Sequence, residues 1–133
     1  MPLKIASTAG GLAHAPVFVG GPSHTDVVKV DISDLSTYEV DLDGYLKPGV
    51  PFAKDGNLVG NGVPVYGVTI EPIKITTTNT DAILDAETDC FVAVGTHGVV
   101  NRDIIEDNLG RALTADEIAG FALAGSNLHL TRT

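Results

Sequence analysis

The stretch Cys90-Phe91-Val92-Ala93-Val94-Gly95-Thr96-His97-Gly98 decides how the chain is read. Its first five residues are all apolar, so a strand there has apolar side chains on both faces, and this predicts a central strand at 91–94. Gly95 and Gly98 bracket Thr96-His97 and predict a turn after it. Upstream, Val27-Val28-Lys29-Val30-Asp31-Ile32 puts Val28, Val30 and Ile32 on one face and Lys29 and Asp31 on the other, the period-2 pattern of a half-buried strand. Tyr38-Glu39-Val40-Asp41-Leu42 alternates in the same way. Lys47-Pro48-Gly49 suits a type II turn, and Asp55-Gly56 and Asn61-Gly62 are hairpin signals, separating short strands at 50–54, 57–59 and 63–70. Pro72 and the Thr-rich run 76–80 suit an edge strand or an exposed loop.

Downstream the texture becomes helical. Asn101 can cap a helix from Arg102 to Leu109, with Ile105 and Leu109 one turn apart and Gly110 placed to end it. Thr114 and Glu117 form a capping box for a second helix, and Leu113 and Ile118 have the spacing of a hydrophobic staple. Ile118, Phe121 and Ala122 make its apolar stripe, and Gly125 stops it. An alternating strand, Asn127-Leu128-His129-Leu130-Thr131, closes the chain. Strands, two short helices and a last strand define a β-rich α+β class.

The 133 residues are the size of one domain, 44% of them hydrophobic, which suffices for a core. Residues 1–25 read differently from the rest. Ala9-Gly10-Gly11, Pro16 and Gly20-Gly21-Pro22 break any period, so residues 1–25 are expected to be a flexible N-terminal arm and residues 26–133 the folded body. Eight basic against seventeen acidic residues give a net charge of −9 and a pI near 4.6, which provides no basic footprint for nucleic acid. No stretch approaches 18 apolar residues and no signal-peptide core is visible, so a soluble product made in the cytoplasm is expected, with no membrane partner.

The residue pattern offers few candidates for catalytic or metal-binding chemistry. The single cysteine, Cys90, lies in the apolar run and excludes an intrachain disulfide. The histidines, His14, His24, His97 and His129, have no helical i, i+4 pair and no Cys at metal-ligand spacing, so no metal site is expected. Cys90 and His97 as nucleophile and base are outweighed by a buried cysteine and a turn histidine. Asp41-Leu42-Asp43-Gly44 starts like a calcium loop, but its twelfth position is Phe52 where a bidentate Glu is needed. Glu106, Asp107, Asp116 and Glu117 sit where carboxylates cap helices or face water. No catalytic set and no cofactor emerge.

Several segments taken in order carry a family likeness. They are Tyr45-Leu46-Lys47-Pro48-Gly49-Val50-Pro51-Phe52-Ala53-Lys54-Asp55-Gly56, Val65-Tyr66-Gly67-Val68, residues 92–101 (Val92-Ala93-Val94-Gly95-Thr96-His97-Gly98-Val99-Val100-Asn101), and Ala124-Gly125-Ser126-Asn127-Leu128-His129-Leu130. Together they resemble the lambda-type head decoration proteins of tailed bacteriophages, from about Tyr45 to Leu130. The stretch 26–43 is longer than the shortest such proteins need. The resemblance implies a β-clip-like partial barrel of short strands with a small subdomain of two short helices. It also implies a homotrimer without enzymatic activity or cofactor. Such a trimer cements the major capsid protein on the outer surface of the expanded virion head, at three-fold and quasi-three-fold positions. On that reading the arm supplies the capsid-binding residues, Leu12 and the anchor Val17-Phe18-Val19, because strand addition draws affinity from main-chain bonds and register from an apolar anchor. Two rivals are a receptor- or carbohydrate-binding module of a phage fibre, which needs exposed aromatics, and a small β-clip nucleotide hydrolase, which needs arginines for phosphate. Only three tyrosines and three arginines are present.

Overall fold

A computed structural model of the chain describes residues 15–75 and 89–132. In chain order the elements are β1 (His24–Asp31), β2 (Tyr45–Leu46), β3 (Pro51–Phe52), β4 (Gly67–Thr69), β5 (Ile73–Lys74), β6 (Asp89–Asn101), α1 (Arg102–Leu109), α2 (Ala115–Phe121) and β7 (Asn127–Thr131). The main sheet runs β1-β6-β4-β3, with β7 added to the far half of β6, while β2 and β5 form a separate two-stranded sheet. β1, β4 and β3 pair antiparallel and β7 pairs parallel to β6, reached through the two helices. The fold is therefore β-rich α+β, with an open main sheet and two short helices.

β6 organises everything else. Val92 and Val94 are fully buried, as a central strand requires. Phe91 and Ala93 on its other face remain exposed, so that face is not covered as the apolar run predicts. The turn expected at Gly95–Gly98 does not form: the strand runs straight through to Asn101. The reason lies far away in sequence. The ring of Phe18 lies over this stretch, and a Cβ on Gly95 would fall 2.5 Å from Phe18 Cζ, one on Gly98 3.2 Å from its Cδ2. The two glycines leave bare strand for an aromatic ring, a packing role that the sequence presents as turn punctuation. The register of β1 against β6 shifts here, His24 facing His97 and Thr25 facing Gly95, so Thr96 is the extra residue of a bulge.

The alternation of β1 holds, with Val28 and Val30 buried and Val27 and Lys29 exposed. Residues 38–42 are not a strand. The Ser36 hydroxyl and backbone N–H both donate to the Glu39 carboxylate at 2.7 Å, and Asp41 accepts the N–H groups of Asp43 and Tyr45 at 2.9 and 3.0 Å. These local side-chain bonds compete with strand pairing, and Leu42 is left wholly exposed. Of the strands expected between 50 and 70, β3 and β4 form, and Leu58 keeps only a single bridge to Phe52.

The helices follow their local signals. Asn101 accepts the N–H groups of Asp103 and Ile104, and Gly110 ends α1 in the left-handed conformation at φ 74°. The Thr114–Glu117 capping box is present in full, an arrangement whose cap alone contributes about 0.5–2 kcal/mol. α2 ends sooner than expected, at Phe121, and its buried residues are Glu117, Phe121 and Gly120, whose carbonyl accepts the Val65 N–H at 3.0 Å; Ala122 faces solvent. Ile105, Leu109, Phe121 and Leu128 pack with Val28, Val30, Val92 and Val94 in one core between sheet and helices.

Candidate interaction surface

The leader residues are placed unevenly. Val17 and Phe18 belong to the core at 2% and 5% exposure, Val19 is 55% exposed, and Leu12 lies outside the described residues. The segment from Val17 to Ser23 runs along β6 by main-chain hydrogen bonds: Asn101 N–H to Val17 O at 2.9 Å, Val19 N–H to Val99 O at 2.9 Å, and Ser23 N–H to His97 O at 2.9 Å. The boundary read at Asp26 is thus too late. Sequence texture classed residues 17–25 with the arm because Gly20-Gly21-Pro22 breaks periodicity, yet the anchor before those glycines and the strand after them are both part of the body.

A second apolar surface lies on the outer face of β1 and β6. Val27 (54% exposed) faces Ala93 across the ladder, and Phe91 faces Lys29. Ala93 also borders a shallow cavity of about 160 Å³ with Ile70, Glu71, Pro72 and Ile73. Two larger hollows, of about 390 and 440 Å³, are lined mostly by apolar groups and turn residues, among them Leu35 and Val40 in one and Val63 and Pro64 in the other.

Several ionisable groups are engaged in structural contacts. Arg111 pairs with Glu117 at 2.8 Å and Glu39 at 3.7 Å, joining the 36–40 turn to the start of α2. Burial works against the Glu117 carboxylate, but the Arg111 guanidinium and the Thr114 N–H outweigh it and hold its pKa below the ordinary value. The bond to Glu117 correspondingly raises the Arg111 pKa. Glu106 is lowered chiefly by the Leu113 N–H it accepts at 2.8 Å, with Arg102 and Arg132 adding to the effect. The Tyr66 hydroxyl donates to Asp26, which lowers the aspartate and raises the phenol. All three arginines are ion-paired within the chain, Arg102 and Arg132 to the Asp103–Glu106 turn of α1 and Arg111 as above. Each tyrosine also has a partner: cations lie over all three rings, Arg111 over Tyr38, Lys74 over Tyr45 and Lys54 over Tyr66.

The other sequence motifs resolve into local structure. Cys90 is buried on β6, and His97 lies seven residues further along that strand, about 23 Å away at 3.3 Å per residue. The calcium-like Asp41 serves the turn bonds given above. Among the described residues no three His, Cys, Asp or Glu side chains cluster as a metal site, and no helix is long and apolar enough to cross a membrane. One pairing escaped sequence reading altogether: His24 and His97 meet across the β1–β6 ladder with ring centres 4.6 Å apart. No spacing rule could expose it, because strand register alone brings them together. No protein family, no curated protein and no solved structure matches this chain.

Proposed function

We propose that this chain is a virion structural protein, a homotrimeric decoration protein that binds the major capsid protein on the outside of an expanded phage head. The observation that carries the reading is how the chain binds its own leader. Residues 17–23 lie against β6 through one antiparallel bridge, Phe18 to Val100, three main-chain bonds and one aromatic anchor, the Phe18 ring. The same chemistry, applied between chains, is adhesion by strand addition: backbone groups supply affinity and an apolar side chain fixes register. With Val17 and Phe18 committed to the root, the capsid contacts fall to Leu12, earlier in the leader, and to the exposed Val19. Three rooted leaders on one trimer bind at high effective concentration once the first has docked, so individually weak contacts become durable. A protein that engages only the expanded shell stabilises that state by mass action, and this needs no chemical step and no cofactor.

The test is light scattering of the purified chain followed by co-sedimentation with heads in both states. The expected results are a particle three times the 13.8 kDa chain and binding to expanded heads in preference to unexpanded ones. A chain lacking residues 2–14 is expected to keep its thermal midpoint and lose head binding. Equal binding to both head states, or undiminished binding without residues 2–14, overturns the proposal.

A further inference from the structure

Independently of that reading, we infer that His24 and His97 form a surface chelating pair for a divalent transition-metal ion of the nickel or copper class. The two residues are direct partners in the β1–β6 register, and their rings stand 4.6 Å apart between centres at an interplanar angle of 55°. With metal–nitrogen bonds of about 2.0–2.1 Å and roughly 1.2 Å from ring nitrogen to ring centre, two imidazoles on one ion have centres about 4.5–4.7 Å apart at a right angle, as in square-planar nickel and copper sites, and about 5.2–5.4 Å apart at the tetrahedral angle. The observed 4.6 Å matches the right-angle arrangement.

The surroundings suit the role. Thr96 Oγ1 lies 2.9 Å from His97 Nδ1, which fixes the ring and leaves Nε2 as the other nitrogen. A metal-bound histidine is ordinarily held in this way through its second nitrogen. Thr96 is itself buried and is the extra residue of the bulge, so the ladder irregularity and the histidine orientation share one cause. His24 is exposed and His97 half-buried, so an ion reaches the pair from solvent.

Imidazole ligands select zinc, nickel and copper over calcium and magnesium, which require oxygen. Two protein nitrogens leave the remaining coordination positions to water or to a donor from a partner. The location gives the ion a consequence. Ser23, the residue before His24, donates its N–H to His97 O, so the pair sits on the seam where the leader joins the body. An ion held there ties the leader root to β6 and stabilises the folded state by mass action.

The test is calorimetric titration of the untagged full chain with Ni²⁺, together with its thermal midpoint with and without the metal. One ion per chain and a raised midpoint are expected. His24→Gln and His97→Gln should each weaken binding by at least about tenfold, and Thr96→Val, a positioning change, by roughly tenfold with the stoichiometry kept. His129→Gln, exposed on β7, should bind as the parent does. Midpoints of all variants measured in chelator show whether each is folded. Absence of saturable binding, retention of binding in a folded His24→Gln chain, or an equal loss in His129→Gln overturns the assignment.

Discussion

Phe18→Ala is the most informative single change, because it asks whether the leader root belongs to the core. The ring is 5% exposed and lies over the bare backbone of Gly95 and Gly98. Removing it deletes a buried aromatic and opens a cavity that the main-chain bonds around it cannot readily collapse into, a loss of about 3–5 kcal/mol. At an unfolding entropy near 2.1 cal/mol/K per residue, a chain of this size should lose roughly 11–18 °C of its midpoint. Urea unfolding followed by circular dichroism gives the free energy directly. Val19→Ala, one residue on and exposed, should stay within about 0.5 kcal/mol of the parent. Gly95→Ala should also destabilise, since its Cβ would fall 2.5 Å from the ring. Combined with Phe18→Ala it should cost less than the two single losses together, because the ring it displaces is already gone. A Phe18→Ala loss below about 1 kcal/mol, well short of the range for a buried ring, would refute the placement of the leader root in the core.

Two further outcomes are expected. Gly56→Ala should destabilise by at least about 2 kcal/mol, because Gly56 holds φ 89° and its new Cβ would lie 1.7 Å from the Lys29 carbonyl oxygen; equal urea midpoints for variant and parent would argue against this close approach of hairpin and β1. Stability should fall on acidification, since Glu106 and Glu117 have folded pKa values below their ordinary 4.5; their contribution is full above that pH and is lost as the pH drops through the folded values, and Glu117→Gln should flatten part of the decline in a urea series across this range.

Both helices were legible in the sequence because their determinants are near neighbours. Asn101, Gly110, Thr114 and Glu117 act on backbone groups within a turn, and the structure uses each of them as its type dictates. The alternation of Val28 and Val30 and the apolar run at Val92 and Val94 were equally local, and so was the β-rich α+β class they imply. The strand read at 38–42 failed for a local reason too, since Ser36, Glu39 and Asp41 bind nearby backbone more tightly than alternation alone reveals.

Only tertiary structure decided what Gly95 and Gly98 are for, where the arm ends, and which histidines meet. Glycine in a sequence signals freedom to turn, but here a ring from the distant Phe18 fills the space that a side chain would occupy and keeps the strand extended. His24 and His97 become neighbours through ladder register, a property of two paired strands that neither contains alone. The sequence by itself determined the periodic elements and their caps, whose energies arise within a few residues; the placement of the leader and the candidate surfaces depended on contacts between distant segments, which exist only once the chain has folded.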